Sequence, residues 1–91
     1  MDEMRLDKFL KVSRLIKRRT LAKEIADQGR ILVNGNHAKA ATTLQEGDEL
    51  QIQFGQRLLT IEINRLKETV KKDEASDLYT IKDEQLLGNN S

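Results

Sequence analysis

Residues 5–35 read RLDKFLKVSRLIKRRTLAKEIADQGRILVNG, and this stretch decides the fold. Apolar side chains recur at steps of three and four through most of it, which predicts amphipathic helices over residues 5–16 and 19–28. Gly29 can take the positive φ that commonly ends a helix. The apolar period then changes to two, which predicts a short strand over residues 30–33.

The apolar stripe of each predicted helix indicates which side chains enter the core. In the first helix the stripe consists of Leu6, Phe9, Leu10, Ser13 and Ile16. In the second helix it consists of Leu21, Ala22, Ile25 and Ala26. Because Phe9 lies at the centre of its stripe, we expect it in the core and not as a platform on which bases stack.

A hairpin is predicted beyond the helical region. Asn34-Gly35 is a strong turn signal, and residues 36–48 are expected to be irregular. Residues 49–54 and 57–65 then alternate as strands on either side of Gly55-Gln56, which is a suitable two-residue loop.

These elements predict one α+β domain, in which a helix pair packs on a small, mostly antiparallel β-sheet. We place this domain at residues 1–66, since 91 residues leave room for little more. Residues 67–91 are predicted to be a charged, partly disordered tail, with one short element near Leu78–Ile81 and disorder over residues 83–91.

Composition excludes several classes of protein. There is no cysteine, so disulfides and thiolate metal sites are excluded, and the lone His37 does not make a typical metal site. No apolar run approaches the roughly 20 residues that span a membrane, and the start of the sequence lacks an apolar signal core. No catalytic residue set is recognisable. We therefore expect a soluble, cytoplasmic, monomeric chain that is no enzyme and needs no cofactor.

Charge is distributed unevenly along the chain. Residues 1–39 carry a net charge of +5 and residues 40–91 a net charge of −4, although the whole chain is only +1. Between residues 5 and 19 there are seven basic side chains and a single acid, Asp7. We call these seven the basic cluster: Arg5, Lys8, Lys11, Arg14, Lys17, Arg18 and Arg19. So compact a cluster indicates a polyanion as partner, and RNA fits best.

Three residues of this region are informative individually. Arg18 and Arg19 stand at the predicted start of the second helix, where positive charge opposes the helix dipole, so these arginines are expected to serve another purpose. Asp7 has two open interpretations. In a helix-start role it pairs with Lys11 or a nearby arginine. In a functional role it orients those basic side chains, or it hydrogen-bonds a base or ribose.

The order of these motifs resembles the RNA-binding domain named S-four, after ribosomal small-subunit protein four. The resemblance covers roughly residues 5–53. Its matching pieces are Arg5-Leu6-Asp7-Lys8-Phe9-Leu10, Arg19, Gly29-Arg30, Val33-Asn34-Gly35 and Gly47-Asp48. It implies the fold of the alpha-L RNA-binding motif. It also implies that RNA is contacted by Arg19, by the rest of the basic cluster and by Asp7. Around the first strand, the implied RNA contacts are Arg30, Asn34 and Lys39.

The chain is also similar to small stand-alone proteins of this type that act in bacterial ribosome quality control, and to a heat-shock RNA-binding protein. That similarity implies binding to large-subunit rRNA and peptidyl-tRNA together, in support of a factor that adds an alanine tail to stalled nascent chains. At Arg18 the chain departs from the family, in which a small residue such as serine often caps the second helix.

Two alternatives stay open from the sequence alone. In one, the acidic second half is a protein-interaction surface and the basic cluster only keeps the chain in solution. Its acids would be Glu68, Asp73, Glu74, Asp77, Asp83 and Glu84. In the other, the chain is the RNA-binding accessory of a separate RNA-modifying enzyme.

Overall fold

A computed structural model describes residues 3–67 and 71–86 of the chain. It contains two α-helices, one 3₁₀ helix and seven strands. In chain order these are β1 Glu3–Arg5, α1 Leu6–Val12, α2 Arg19–Asp27, β2 Ile31–Val33, β3 Asn36–His37, β4 Thr43–Gln45, β5 Glu49–Phe54, β6 Arg57–Ile63, the 3₁₀ helix Lys72–Leu78, and β7 Tyr79–Leu86. The predicted α+β class, with a helix pair on an antiparallel sheet, is confirmed.

The strands form two sheets, in which all of the described pairs are antiparallel. Five strands make the larger sheet in the order β3-β2-β5-β6-β7, and β1 pairs with β4 in the smaller one. The β5–β6 hairpin closes at the predicted two-residue loop, with Phe54 opposite Arg57. In the β2–β3 hairpin, Asn34 and Gly35 both have positive φ, at 53° and 87°, as this kind of tight turn requires.

One hydrophobic core joins the helices to the larger sheet. The predicted stripe of the first helix is buried throughout, and Phe9 has no exposed surface. In α2, Ala22, Ile25 and Ala26 are buried as predicted. Leu21 is not, since 46% of it is exposed. It lies at the margin of the apolar stripe and faces outward.

The first helix is shorter than predicted and ends at Val12. Arg14 takes a left-handed conformation with φ of 62°, and its N–H donates to the carbonyl of Lys11 over 3.0 Å. The Ser13 hydroxyl donates to the Leu10 carbonyl, to which the N–H of Ile16 also donates. The connection thus turns back along α1, so Ile16 reaches the core from outside the helix.

The interval predicted to be irregular, residues 36–48, holds two short strands. Strand β3 completes the hairpin with β2, and β4 pairs with β1. Both strands have two or three residues, too few for a period to be recognised. Next to β4, the carbonyls of Ala40 and Thr42 accept the N–H groups of Asp7 and Leu6, which begin α1.

The prediction of disorder over residues 83–91 is wrong for residues 83–86. These residues belong to β7, which pairs with β6 as far as Leu86 opposite Arg57. Residues 87–91 lie outside the described residues. Just before β7, Leu78 is only 1% exposed and belongs to the core, so the segment after residue 71 contributes to the packing of the fold. No helix in the described part of the chain is long and apolar enough to cross a membrane.

Candidate nucleic-acid interface

The centre of the candidate interface is a buried carboxylate with two arginines. Asp7 lies in the first turn of α1 and is only 6% exposed. Its Oδ2 accepts a hydrogen bond from Arg5 Nη2 over 3.2 Å. Its Oδ1 accepts one from Arg19 Nη2 over 3.2 Å. One acid therefore joins the end of β1 to the first residue of α2.

This arrangement settles which basic groups Asp7 pairs with. Within the part of the chain that the structure describes, no ion pair joins Asp7 to Lys11, which lies one turn further along α1. The side chains of Arg5 and Arg19 remain 55% and 45% exposed, whereas that of Asp7 is 8% exposed. The carboxylate thus holds the two guanidinium groups from beneath and leaves donors of each open to solvent. Pairing with arginines agrees with both interpretations of Asp7, the helix-start role and the orienting role, and RNA contact by Asp7 remains a prediction.

The rest of the basic cluster lies on α1 and on the connection to α2. Lys8 and Lys11 are on α1, where Lys8 is half-buried and Lys11 is exposed. Arg14, Lys17 and Arg18 are exposed on the connection. Among the described ion pairs, none brings an acid of the second half of the chain onto Arg5, Lys11, Arg14, Lys17, Arg18 or Arg19. Apart from the one negative charge of Asp7, which Arg5 and Arg19 share, the positive charge of these residues therefore remains available to an anionic partner.

The start of α2 adds to this positive character. Arg18 precedes the helix in an extended conformation, and its side chain makes no capping hydrogen bond. The first turn of α2 contains no acid. Where many family members have a small capping residue, this chain has Arg18 and no side-chain cap. A helix start with open N–H groups and flanking arginines attracts anions, because the helix dipole and the side-chain charges have the same sign.

Lys39 lies near this centre, and Arg30 does not. Lys39 is exposed on the loop whose next residue, Ala40, accepts the N–H of Asp7 over 3.1 Å. Arg30 follows the other end of α2, a helix of nine residues that is about 13 Å long. RNA contact by either residue remains a prediction.

Asn34 has a structural task that involves both ends of its amide. Its Oδ1 accepts the N–H of Glu49 over 2.9 Å, and its Nδ2 donates to Asp48 Oδ1 over 3.2 Å. Asn34 thereby fastens the β2–β3 turn to the turn before β5. One lone pair of Oδ1 and one N–H of Nδ2 stay without a described partner on this exposed side chain, and RNA contact by Asn34 remains a prediction.

A groove beside the basic cluster is not predicted from the sequence. Leu15, Leu21 and Phe54 are among the residues that line it, together with Lys17 and Arg18 of the basic cluster. It depends on the outward position of Leu21 and on the β5–β6 hairpin coming close to α2. Of the contacts made by the groove residues, the sequence could have predicted only the one between Phe54 and Arg57. These two positions flank a two-residue loop and face each other in any such hairpin. In the described residues, no three His, Asp or Glu side chains are grouped so that they could hold a metal ion.

Comparisons with known proteins agree with this architecture. The S4 domain model matches residues 4–50. The chain is 66% identical over 85 residues to a Bacillus subtilis protein named RQC P-site tRNA stabilizing factor, with 93% of this chain and 99% of that protein covered. It is 71% identical over 82 residues to a Halalkalibacterium halodurans protein of the same name, with 90% and 93% covered.

A solved structure shows the same fold. Heat Shock Protein 15 of Vibrio cholerae, described as trimeric, superposes with a TM-score of 0.81 at 31% identity. The superposition covers 88% of this chain and 82% of that protein. Because the domain model matches just over half of the chain and the relatives match nearly all of it, this chain belongs to the S4 domain family.

Proposed function

We propose that this chain is a non-catalytic RNA-binding protein that stabilises tRNA on the large ribosomal subunit during ribosome quality control. The observation that carries the proposal is the pair of half-exposed arginines, Arg5 and Arg19, held on the buried carboxylate of Asp7. The name shared by relatives that match nearly the full chain supports the choice of tRNA and of this process.

The mechanism is electrostatic docking on a pre-arranged surface. The basic cluster faces phosphates, which supply affinity and orientation with little reading of sequence. Arg5 and Arg19 do more, because a guanidinium can donate two parallel hydrogen bonds to a phosphate or a base edge. With both groups already held by Asp7, less conformational freedom is lost on binding. A surface this compact can contact rRNA and tRNA together and so keep the tRNA in place.

The finer parts of the proposal follow from the family resemblance. The partners are large-subunit rRNA, peptidyl-tRNA and the factor that adds alanine tails to stalled nascent chains. In this scheme the protein contributes binding and positioning only, and the tailing chemistry belongs to the ribosome and that factor. Such a task places the protein in the cytoplasm.

The rival role, protein binding through the acidic second half, receives less support from the described residues. Glu84 pairs with Arg57 over 3.1 Å, and Asp83 accepts a hydrogen bond from Gln85 over 2.9 Å. Glu74 accepts the N–H of Lys71 at the start of the 3₁₀ helix. Of these three contacts only the ion pair of Glu84 with Arg57 offsets a negative charge, which reduces the charge that this half offers to a basic protein.

Sedimentation of the tagged protein from cells tests the proposal. Lysate is separated on a sucrose gradient, and the RNA that co-purifies with the tag is sequenced. We expect the protein in the large-subunit fraction, with tRNA enriched beside 23S-type rRNA. A protein that stays at the top of the gradient, or that co-purifies with a protein and no RNA, contradicts the proposal.

A further inference from the structure

The groove between α2 and the β5–β6 hairpin has a volume of about 530 Å³. Besides the buried Ile16, its apolar lining consists of Leu15 and Phe54, which are half-buried, and Leu21, which is 46% exposed. The three side chains that reach solvent are Leu15, Leu21 and Phe54. These three stand at the edge of the core and leave apolar surface facing solvent. An open apolar groove on a small domain indicates a binding site.

The ring of Phe54 lines the groove and is also in contact with a guanidinium group. The guanidinium carbon of Arg57 lies 5.7 Å from the centre of the Phe54 ring. Arg57 also pairs with Glu84, with 3.1 Å between Nε and Oε2. Because this ion pair offsets the charge of Arg57, the aromatic ring of Phe54 is the main feature that this part of the groove offers to a ligand. Aromatic rings and guanidinium planes are the surfaces on which unstacked RNA bases are bound.

The opposite rim is positively charged and belongs to the basic cluster. Lys17 and Arg18 line the groove and are exposed. Glu24 is the acid among the lining residues. An occupant that complements this groove therefore has an anionic part for Lys17 and Arg18 and a flat apolar part for Leu21 and Phe54.

We propose that the groove binds a single unstacked nucleotide of the RNA held by the basic cluster. Its phosphate lies at Lys17 and Arg18, and its base lies against Leu21 and Phe54. This inference rests on the proposed function, because the groove shares two cationic residues with the proposed RNA surface. It adds a preference that phosphate contacts alone do not provide, namely for RNA that has an unpaired nucleotide at the docking point.

Two RNA probes test this preference. One is a stem–loop with unpaired loop nucleotides, and the other is a fully paired duplex with the same number of nucleotides. Affinities are measured by fluorescence anisotropy at one salt concentration. We expect Leu21→Ala and Phe54→Leu to weaken stem–loop binding by about fivefold to tenfold, as loss of a base-stacking contact does. Binding to the duplex should not change.

The controls separate this proposal from the proposed function. Ile81→Ala removes an equally exposed apolar side chain from β7, where 54% of Ile81 is exposed, and should change neither affinity. Arg19→Ala should weaken binding to both probes. Suppose that Arg19→Ala weakens binding to both probes, while Leu21→Ala and Phe54→Leu have no effect or weaken binding to both probes equally. The proposal that the groove binds a nucleotide is then wrong, and the proposed RNA-binding surface is retained. If the parent binds neither probe, both proposals fail.

Photo-crosslinking identifies the occupant directly. A photo-reactive phenylalanine analogue replaces the exposed Leu21, and cells are irradiated. A crosslinked product whose size decreases after ribonuclease treatment supports a nucleotide as the occupant of the groove. An adduct with another protein that is insensitive to ribonuclease overturns the proposal and identifies a peptide-binding groove. Circular dichroism of every variant checks that the fold is retained.

Discussion

Arg19 Nη2 donates to Asp7 Oδ1 over 3.2 Å, a contact between residues twelve positions apart that ties the start of α2 to the first turn of α1. The carboxylate is buried, while the side chain of Arg19 is 45% exposed. The same carboxylate holds Arg5 through its second oxygen. An anion beneath the surface thus fixes two cations on it, which is how the fold prepares a site for phosphate.

Replacing Asp7 with Asn separates orientation from charge. The change raises the net charge by one, so attraction by charge alone would strengthen RNA binding. We expect the reverse, a loss of about threefold to tenfold in affinity, because Arg5 and Arg19 lose the group that holds them. Loss of two charge-assisted hydrogen bonds should also lower the free energy of unfolding by about 1–3 kcal/mol. Filter binding and urea unfolding measure the two effects, and tighter RNA binding by Asp7→Asn would refute the orienting role.

The salt dependence of RNA binding should report the number of phosphates that the basic cluster neutralises. Each phosphate contact contributes about 0.9 to the slope of log affinity against log salt on a duplex. Lys11→Ala and Lys17→Ala should each reduce this slope by up to about one. Lys82→Ala is the matched control, since Lys82 lies on β7 and pairs with Glu62 over 3.3 Å. Equal slopes for all four proteins would mean that the cluster does not face phosphates.

We expect Arg14 to contribute charge to RNA binding and to lower the stability of the fold through its backbone conformation. With φ of 62° it occupies a position where glycine is preferred over any residue that has a Cβ. Arg14→Gly should therefore be more stable than Arg14→Ala by about 1 kcal/mol, although both lose the same charge. Both variants should bind RNA equally weakly. Urea unfolding and RNA affinity measured side by side check this, and an Arg14→Ala variant as stable as Arg14→Gly would contradict it.

The segment after residue 71 is expected to be needed for stability. Leu78 is 1% exposed, so Leu78→Ala should lower the free energy of unfolding by about 2–4 kcal/mol. Ile81→Ala, on the exposed face of β7, should change it by less than about 0.5 kcal/mol. Thermal unfolding of both variants makes the comparison. If Leu78→Ala unfolds like the parent, this segment is an appendage to the domain.

Elements built on local patterns could be predicted from the sequence. Helix α2 and the β5–β6 hairpin agree to within two residues at each end, because apolar period and turn residues specify them directly. The first helix was predicted too long, since the apolar steps continue through Ser13 and Ile16 after the helix has ended. The turn at Arg14 keeps Ile16 in the core, so the apolar spacing of three and four residues continues beyond the end of the helix.

Contacts between distant parts of the chain could not be predicted. Strands β1 and β4 have three residues each and pair across some forty positions. The short element predicted near Leu78–Ile81 overlaps the start of β7, but the rest of the strand could not be predicted, because nearly all of its side chains are exposed and its sequence lacks an apolar alternation. Its place in the sheet comes from backbone pairing with β6, with a register shift near Thr60 and Ile61.

In the candidate site too, local features could be predicted from the sequence and contacts between distant residues could not. Its charge could be predicted, because the basic residues are neighbours along the chain. The sequence predicts Lys11 or a nearby arginine as the partner of Asp7, but the choice of Arg19 could not be predicted, because Arg19 lies twelve positions away and only the fold brings it close. The groove at Leu21 and Phe54 depends on how α2 sits against a hairpin thirty positions away, which no local pattern records.

Arg19 provides the most direct test of the central claim. Large ribosomal subunits are incubated with the parent protein, with Arg19→Ala, with Arg19→Lys and with Lys82→Ala, and the bound fraction is measured after pelleting. We predict that Arg19→Ala loses at least about tenfold in affinity, the equivalent of one charged hydrogen-bonded contact. Arg19→Lys should recover only part of it, and Lys82→Ala should bind like the parent. An Arg19→Ala protein that is folded and pellets with large subunits as fully as the parent would contradict the account.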